Sequence, residues 1–135
     1  MLWEGINYSS EKFLPNGTPK PIPDNVAFNR DLFDHYKKLI HIRNTTPALQ
    51  SGDFHSLLTD DENQIYVSQR YYRKQNVLVV LNNSRDRQHI QLDFVDANHF
   101  EDVLNERSMD VSDEKLRITL EPKWASILVN EKMSP

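Results

Sequence analysis

Val77-Leu78-Val79-Val80-Leu81-Asn82-Asn83-Ser84 is apolar for its first five residues and then stops at a polar turn. A run this short, with no polar residue on either face, reads as a strand covered on both sides, near the middle of a sheet. The pattern extends outward from it. From Gly52 onward the apolar residues recur with a period of two. Phe54–Leu58, Ile65–Tyr71, Ile90–Phe94, Phe100–Leu104, Leu116–Leu120 and Trp124–Val129 are the further predicted strands. Short polar segments separate the early ones: Asp60-Asp61-Glu62-Asn63, Arg73-Lys74-Gln75-Asn76 and Asn82-Asn83-Ser84-Arg85-Asp86. Short strands at near-regular spacing predict a mainly β chain, a β-sandwich or a Greek-key barrel, and of these an antiparallel Greek-key β-sandwich of about seven or eight strands is the expectation.

Upstream the period changes. At about 100° per residue, Phe28, Leu32, Phe33, Tyr36, Leu39, Ile40 and Ile42 fill an arc of roughly 180°, against about 100° for an ordinary core stripe. One amphipathic helix is therefore predicted over 30–44, capped by Asn29 and stopped before Pro47. So broad an arc implies burial against two surfaces. Before it, residues 6–27 read as a long loop, because Pro15, Pro19, Pro21 and Pro23 oppose regular structure and Asn16-Gly17 signals a turn. Met1-Leu2-Trp3-Glu4-Gly5 reads like the tail of a buried strand and its exit loop. The chain is accordingly expected to be the last piece of a longer one.

Composition excludes several classes. The 135 residues are enough for a real core. There is no cysteine, hence no disulfide and no Cys-based metal site. A formal net charge of −4 argues against nucleic acid as a partner. No apolar run approaches the roughly 18 residues of a membrane span, and no signal-peptide pattern opens the chain. An internal starting point would leave cytoplasmic, periplasmic and secreted origins equally compatible.

No residue set supports catalysis unaided. The five histidines lack ligand spacing: His35 and His41 are six apart and face different ways on the helix. The acidic run 60–63 lacks the glycine and terminal glutamate of a calcium loop and reads as a hairpin turn. With only three glycines, no phosphate-cradling loop and no Gly-x-Ser-x-Gly elbow exist. No catalytic, metal or cofactor site is therefore assigned. Trp3 and Trp124 are the conceivable sugar platforms; Trp124 reads as core, leaving Trp3 as the substrate-binding candidate. Four sequons, at Asn7, Asn16, Asn44 and Asn82, matter only in a secretory, glycosylating setting.

From Asn29 the chain resembles the end of the α-amylase family of glycoside hydrolases (family 13), the cyclomaltodextrinase and neopullulanase group in particular. The resemblance is carried by Leu32-Phe33-Asp34-His35-Tyr36-Lys37-Lys38-Leu39-Ile40-His41-Ile42-Arg43, by Pro47-Ala48-Leu49-Gln50-Ser51-Gly52-Asp53-Phe54, and by the strands at 65–70 and 77–84. Met1-Leu2-Trp3-Glu4 resembles the Met-x-Trp-acid segment after the eighth strand of the catalytic barrel. The resemblance implies a (β/α)₈ barrel upstream, with the active site at its C-terminal face. The family's nucleophile, general acid and stabilising carboxylate belong to a retaining mechanism and lie on earlier strands, so none maps here. Residues 1–50 would be the remnant of the barrel's last βα unit, and 51–135 the C-terminal all-β domain.

Three functions then compete. The first is a non-catalytic region of an enzyme acting on starch, maltodextrin, cyclodextrin or pullulan, supporting its own barrel. The second is a carbohydrate-binding module that holds starch directly. It would need aromatic rings on one face; Tyr66, Tyr71 and Tyr72 are the one reasonable cluster, and alternation sends Tyr71 and Tyr72 to opposite faces, which weakens the platform. The third, a generic adhesion sandwich, leaves the helix and the Trp3 segment unexplained. If the barrel is absent, self-association through helix 30–44 is expected.

Overall fold

The structure, a computed structural model, describes residues 2–93 and 97–131. It divides into two compact units, residues 1–37 and 38–135, and each is described by itself. Among the described residues no helix is long and apolar enough to cross a membrane.

In the first unit, the predicted loop contains a two-stranded antiparallel ribbon, β1 (Glu11–Phe13) with β2 (Pro19–Asp24). The prolines tolerate this because each strand has only one partner, so half of the backbone N–H groups face outward and are not needed. Asn16-Gly17 makes the turn: Gly17 has φ +84° and its N–H donates to Leu14 O, while Thr18 N–H donates to Asn16 Oδ1. Lys20 Nζ donates to both Glu11 and Asp24 at 2.6 Å, which raises the lysine pKa, through Asp24 first and Glu11 second.

Helix α1 runs over Arg30–Thr45. Asn29 caps it as predicted, its Oδ1 accepting from Leu32 N–H at 2.9 Å. Pro47 does end α1, but it also starts a second short helix, α2 (Pro47–Ser51), occupying the first turn where its missing N–H costs nothing. Gly52 follows because nothing larger fits. A Cβ there would sit 2.5 Å from Ala48 O and 2.9 Å from Tyr71 O.

The rest is one curled antiparallel sheet. Its strands are β3 (Asp53–Asp60), β4 (Ile65–Tyr72), β5 (Gln75–Asn82), β6 (Gln88–Asp93), β7 (His99–Asp102), β8 (Arg107–Ser112), β9 (Lys115–Leu120) and β10 (Trp124–Glu131). Among the described residues their order is β3-β4-β5-β10-β7-β8-β9-β6. Two consecutive meanders, β3-β4-β5 and β7-β8-β9, are joined by β10, while β6 crosses over to pair with β9. The C-terminal end of the strand predicted over Ile90–Phe94 lies outside the described residues.

Curling brings the inner faces of the two halves together. Ile65, Val67, Leu78, Val80 and Leu128 from one half enclose a core with Leu92, Phe100, Leu116, Ile118 and Leu120 from the other. β5 is covered on both sides over most of its length. Leu78 and Val80 face this core, and Val77 faces a second cluster with Ile42, Ala48, Leu104 and Ile127 on the outer face. Leu81 is the exception, 39% exposed.

Two buried polar side chains lock the connections. Asn82 ends β5 at 2% exposure. Its Nδ2 donates to Asp86 O and Glu121 O, both at 2.9 Å, and its Oδ1 accepts from Ser84 N and Oγ. Asp102, 1% exposed, accepts from the N–H groups of Leu104, Asn105 and Ile127 and from Asn105 Nδ2. Each satisfies backbone groups that the turns would otherwise leave unpaired.

Candidate functional site

Trp3, the substrate-binding candidate, stands 70% exposed. Its own N–H donates to Tyr8 Oη at 2.8 Å, which fixes the local chain rather than shaping a pocket around the ring. Nearby, Arg30 pairs with Glu4, which raises the guanidinium's pKa, and lies 5.1 Å over the Phe28 ring.

Trp124 departs from the core role expected of it. It is 39% exposed at the start of β10, where the sheet ends, and the Arg107 guanidinium lies 5.9 Å from its ring centroid. The tyrosines form no platform. Tyr66 and Tyr72 lie on the outer face at opposite ends of β4, since they pair with Leu81 and Gln75 respectively, and Tyr71 lies on the other face. Tyr72 is packed into the outer cluster, with Arg73 5.1 Å over it.

Among the described residues no group of three His, Cys, Asp or Glu side chains could hold a metal ion. His99 pairs with two carboxylates. Its Nε2 lies 2.9 Å from Glu101 and its Nδ1 2.7 Å from Asp110, directly across the β7–β8 ladder. Both carboxylates favour the imidazolium and raise its pKa, Glu101 first. The acidic run 60–63 is the expected turn: Asp60 accepts from Asn63 N and Nδ2, and these bonds lower its pKa, the side-chain bond most. The Asn82 sequon is too buried to carry a glycan, because its amide nitrogen is committed inside the fold.

What the described residues do assemble is an outer face. Leu39 and Ile42 of α1, with Ala48 and Leu49 of α2, pack on Val77, Tyr72, Ala125, Ile127 and Val129. Arg70 Nε reaches Ala48 O at 3.4 Å, and Ala48 N–H donates to Gln75 Oε1. Lys38 pairs with Glu106 at 2.9 Å and lowers that carboxyl's pKa. The apolar arc of α1 therefore has one flank against the sheet. Its other flank, Leu32, Tyr36 and Ile40 at successive turns, is 53%, 48% and 57% exposed. On the sheet's outer face Phe54 and Leu81 are likewise exposed.

Known proteins resemble this arrangement. The sequence profile of the family described as Alpha-amylase C-terminal domain matches residues 52–128. Neopullulanase 2 of Thermoactinomyces vulgaris is 32% identical over 104 residues, which is 76% of this chain and 18% of that protein. A cyclomaltodextrinase of Thermoanaerobacter pseudethanolicus is 34% identical over 100 residues, 74% of this chain and 16% of that protein. An alpha-amylase from Anoxybacillus has the same fold, with TM-score 0.72 and 24% identity over 87% of this chain and 27% of that one. The chain thus spans less than a fifth of each of these two relatives.

Proposed function

Because this chain belongs to the alpha-amylase C-terminal domain family, we propose that it is the non-catalytic C-terminal region of a longer glycoside hydrolase acting on α-glucans, and that it supports and stabilises that enzyme's barrel. Residues 1–50 form the barrel's last βα unit, and 51–135 the β domain that covers it. The observation that carries this reading is the divided helix. One flank of α1 is bound to the sheet, and the other presents Leu32, Tyr36 and Ile40 to solvent. Three large apolar side chains at i, i+4 and i+8 form the seam of a helix that packs on neighbours. In a (β/α)₈ barrel the last helix has such neighbours on its inner side. The substrate class follows from the family and from the relatives named neopullulanase and cyclomaltodextrinase.

The test is a chimera in which this chain replaces the matching region of the Thermoanaerobacter cyclomaltodextrinase. Cyclodextrin hydrolysis and its thermal inactivation are then measured. The intact chimera should be active. A Leu32→Lys, Ile40→Lys version should inactivate at markedly lower temperature. Equal inactivation of the two would refute the docking role.

A further inference from the structure

We infer that the β1–β2 turn is a self-modification site: the backbone nitrogen of Gly17 attacks the side-chain amide of Asn16, and the pair ages through a cyclic imide to a mixture of aspartate and isoaspartate. Asn16-Gly17 is the one Asn-Gly pair in the sequence, and the fold presents it at the tip of the ribbon, where both residues are exposed. Asn16 Oδ1 accepts from Thr18 N–H at 3.0 Å, which folds the side chain back over the peptide that joins it to Gly17. This brings Asn16 Cγ close to the nitrogen that must reach it, and the step is intramolecular. A Cβ at Gly17 would meet nothing within 4 Å, so no neighbour crowds the approach. Gly17 N–H donates to Leu14 O at 2.8 Å, and that bond has to open first. A ribbon of only two strands opens readily, because no third strand holds it.

Water is the only co-reactant. Base removes the Gly17 amide proton, the nitrogen forms a bond to Asn16 Cγ, and the Cγ–Nδ2 bond breaks, releasing ammonia that carries the proton away. The product is a five-membered imide spanning residues 16 and 17. Water then opens it. Cleavage of the new Cγ–N bond restores the ordinary main chain and leaves aspartate. Cleavage of the original peptide C–N bond leaves isoaspartate, with the main chain routed through Cβ and Cγ. Isoaspartate therefore adds a methylene to the turn. The turn sets the register of a ribbon with no other support, so this product should undo the pairing of Glu11–Phe13 with Pro19–Asp24. The fold also separates this site from Asn83-Ser84, the other exposed asparagine in a turn before a small residue. There the attacking nitrogen belongs to buried Ser84 and donates to Asn82 Oδ1, while Asn83 Oδ1 is engaged by Lys123 Nζ.

The experiment stores the full 135-residue chain at neutral and mildly alkaline pH and samples it over weeks. Peptide mapping by mass spectrometry locates each amide that has become an acid, and methylation by an isoaspartate-specific methyltransferase counts the isoaspartate. Asn16 should convert at least about tenfold faster than Asn83, with isoaspartate among the products and a rate that rises with pH. In a nitrogen-15 spectrum the amide signals of Glu11–Phe13, Lys20, Ile22 and Asp24 should move to unstructured positions as isoaspartate accumulates, while those of β4 and β5 stay in place. Asn16→Gln, which would need a six-membered ring, should keep the ribbon and stay unconverted at residue 16. Should that variant lose the ribbon, the product ratio and conversion order in the wild type decide alone. The proposal is overturned if another asparagine converts first, if residue 16 yields aspartate without isoaspartate, if a folded Asn16→Gln chain converts as fast, or if the ribbon signals survive the formation of isoaspartate.

Discussion

Replacing Asn82 by Ala should be among the most damaging single changes outside the apolar core. The side chain makes four well-formed hydrogen bonds, two donated to carbonyls and two accepted from Ser84, at 2% exposure. Each such bond contributes about 1 kcal/mol net, and a partner left buried and unpaired costs about 1–3 kcal/mol. Ser84 is buried, and its backbone N–H loses its acceptor. Asp86 is exposed and regains water. A loss of about 3–4 kcal/mol follows, a large share of the roughly 5–15 kcal/mol of a typical domain. Asn82→Asp should be no milder despite its shape, since an acceptor then faces the Asp86 and Glu121 carbonyls. Asn83→Ala is the control: its side chain is exposed and only receives Lys123 Nζ, so it should change stability by less than about 0.5 kcal/mol. Urea unfolding followed by circular dichroism, with the slope unchanged, measures all three. A loss under about 1 kcal/mol for Asn82→Ala, or equal effects at 82 and 83, would refute the reasoning.

Glu114→Gly should stabilise by about 0.5–1 kcal/mol in the same assay, because Asp113 and Glu114 form the two-residue β8–β9 turn with φ 53° and 59°, where Asp-Gly is favoured. His99, its pKa raised in the fold, contributes stability fully below about pH 6.5, and that contribution fades as pH rises through the raised value. Urea midpoints should therefore decline more across that range for the wild type than for His99→Gln. Trp124→Ala should cost about 1–2 kcal/mol rather than the 3–5 of a buried ring, as read from chemical denaturation. The chain alone should release no reducing sugar from starch, cyclodextrin or pullulan, and should not sediment with insoluble starch; activity that survives repurification would count against the assignment.

The sequence was most legible where one physical demand dominated. The apolar run 77–81 announced a doubly covered strand; the breadth of the helical arc implied two surfaces, of which one flank of α1 meets the sheet while the other stands exposed. It was least legible where demands were local. β8 reads Arg-Ser-Met-Asp-Val-Ser, with only Met109 and Val111 turned toward the core, so its alternation is too thin to stand out. The β1–β2 ribbon hid behind its prolines, which an isolated pair of strands tolerates. Trp124 misled because average burial carries no information about position, and this ring sits at a strand's first residue.

The position of β10 has a consequence for biosynthesis. This strand, emerging last from the ribosome among those described, fills the middle of the sheet between β5 and β7. Until it is released, the two meanders each expose an unpaired edge, and one of those edges is Val77–Leu81. An apolar, unprotected edge is a template for pairing with other chains. Chains stopped before Trp124 should therefore aggregate rather than persist as a slightly smaller domain, and productive folding awaits the arrival of the last strand.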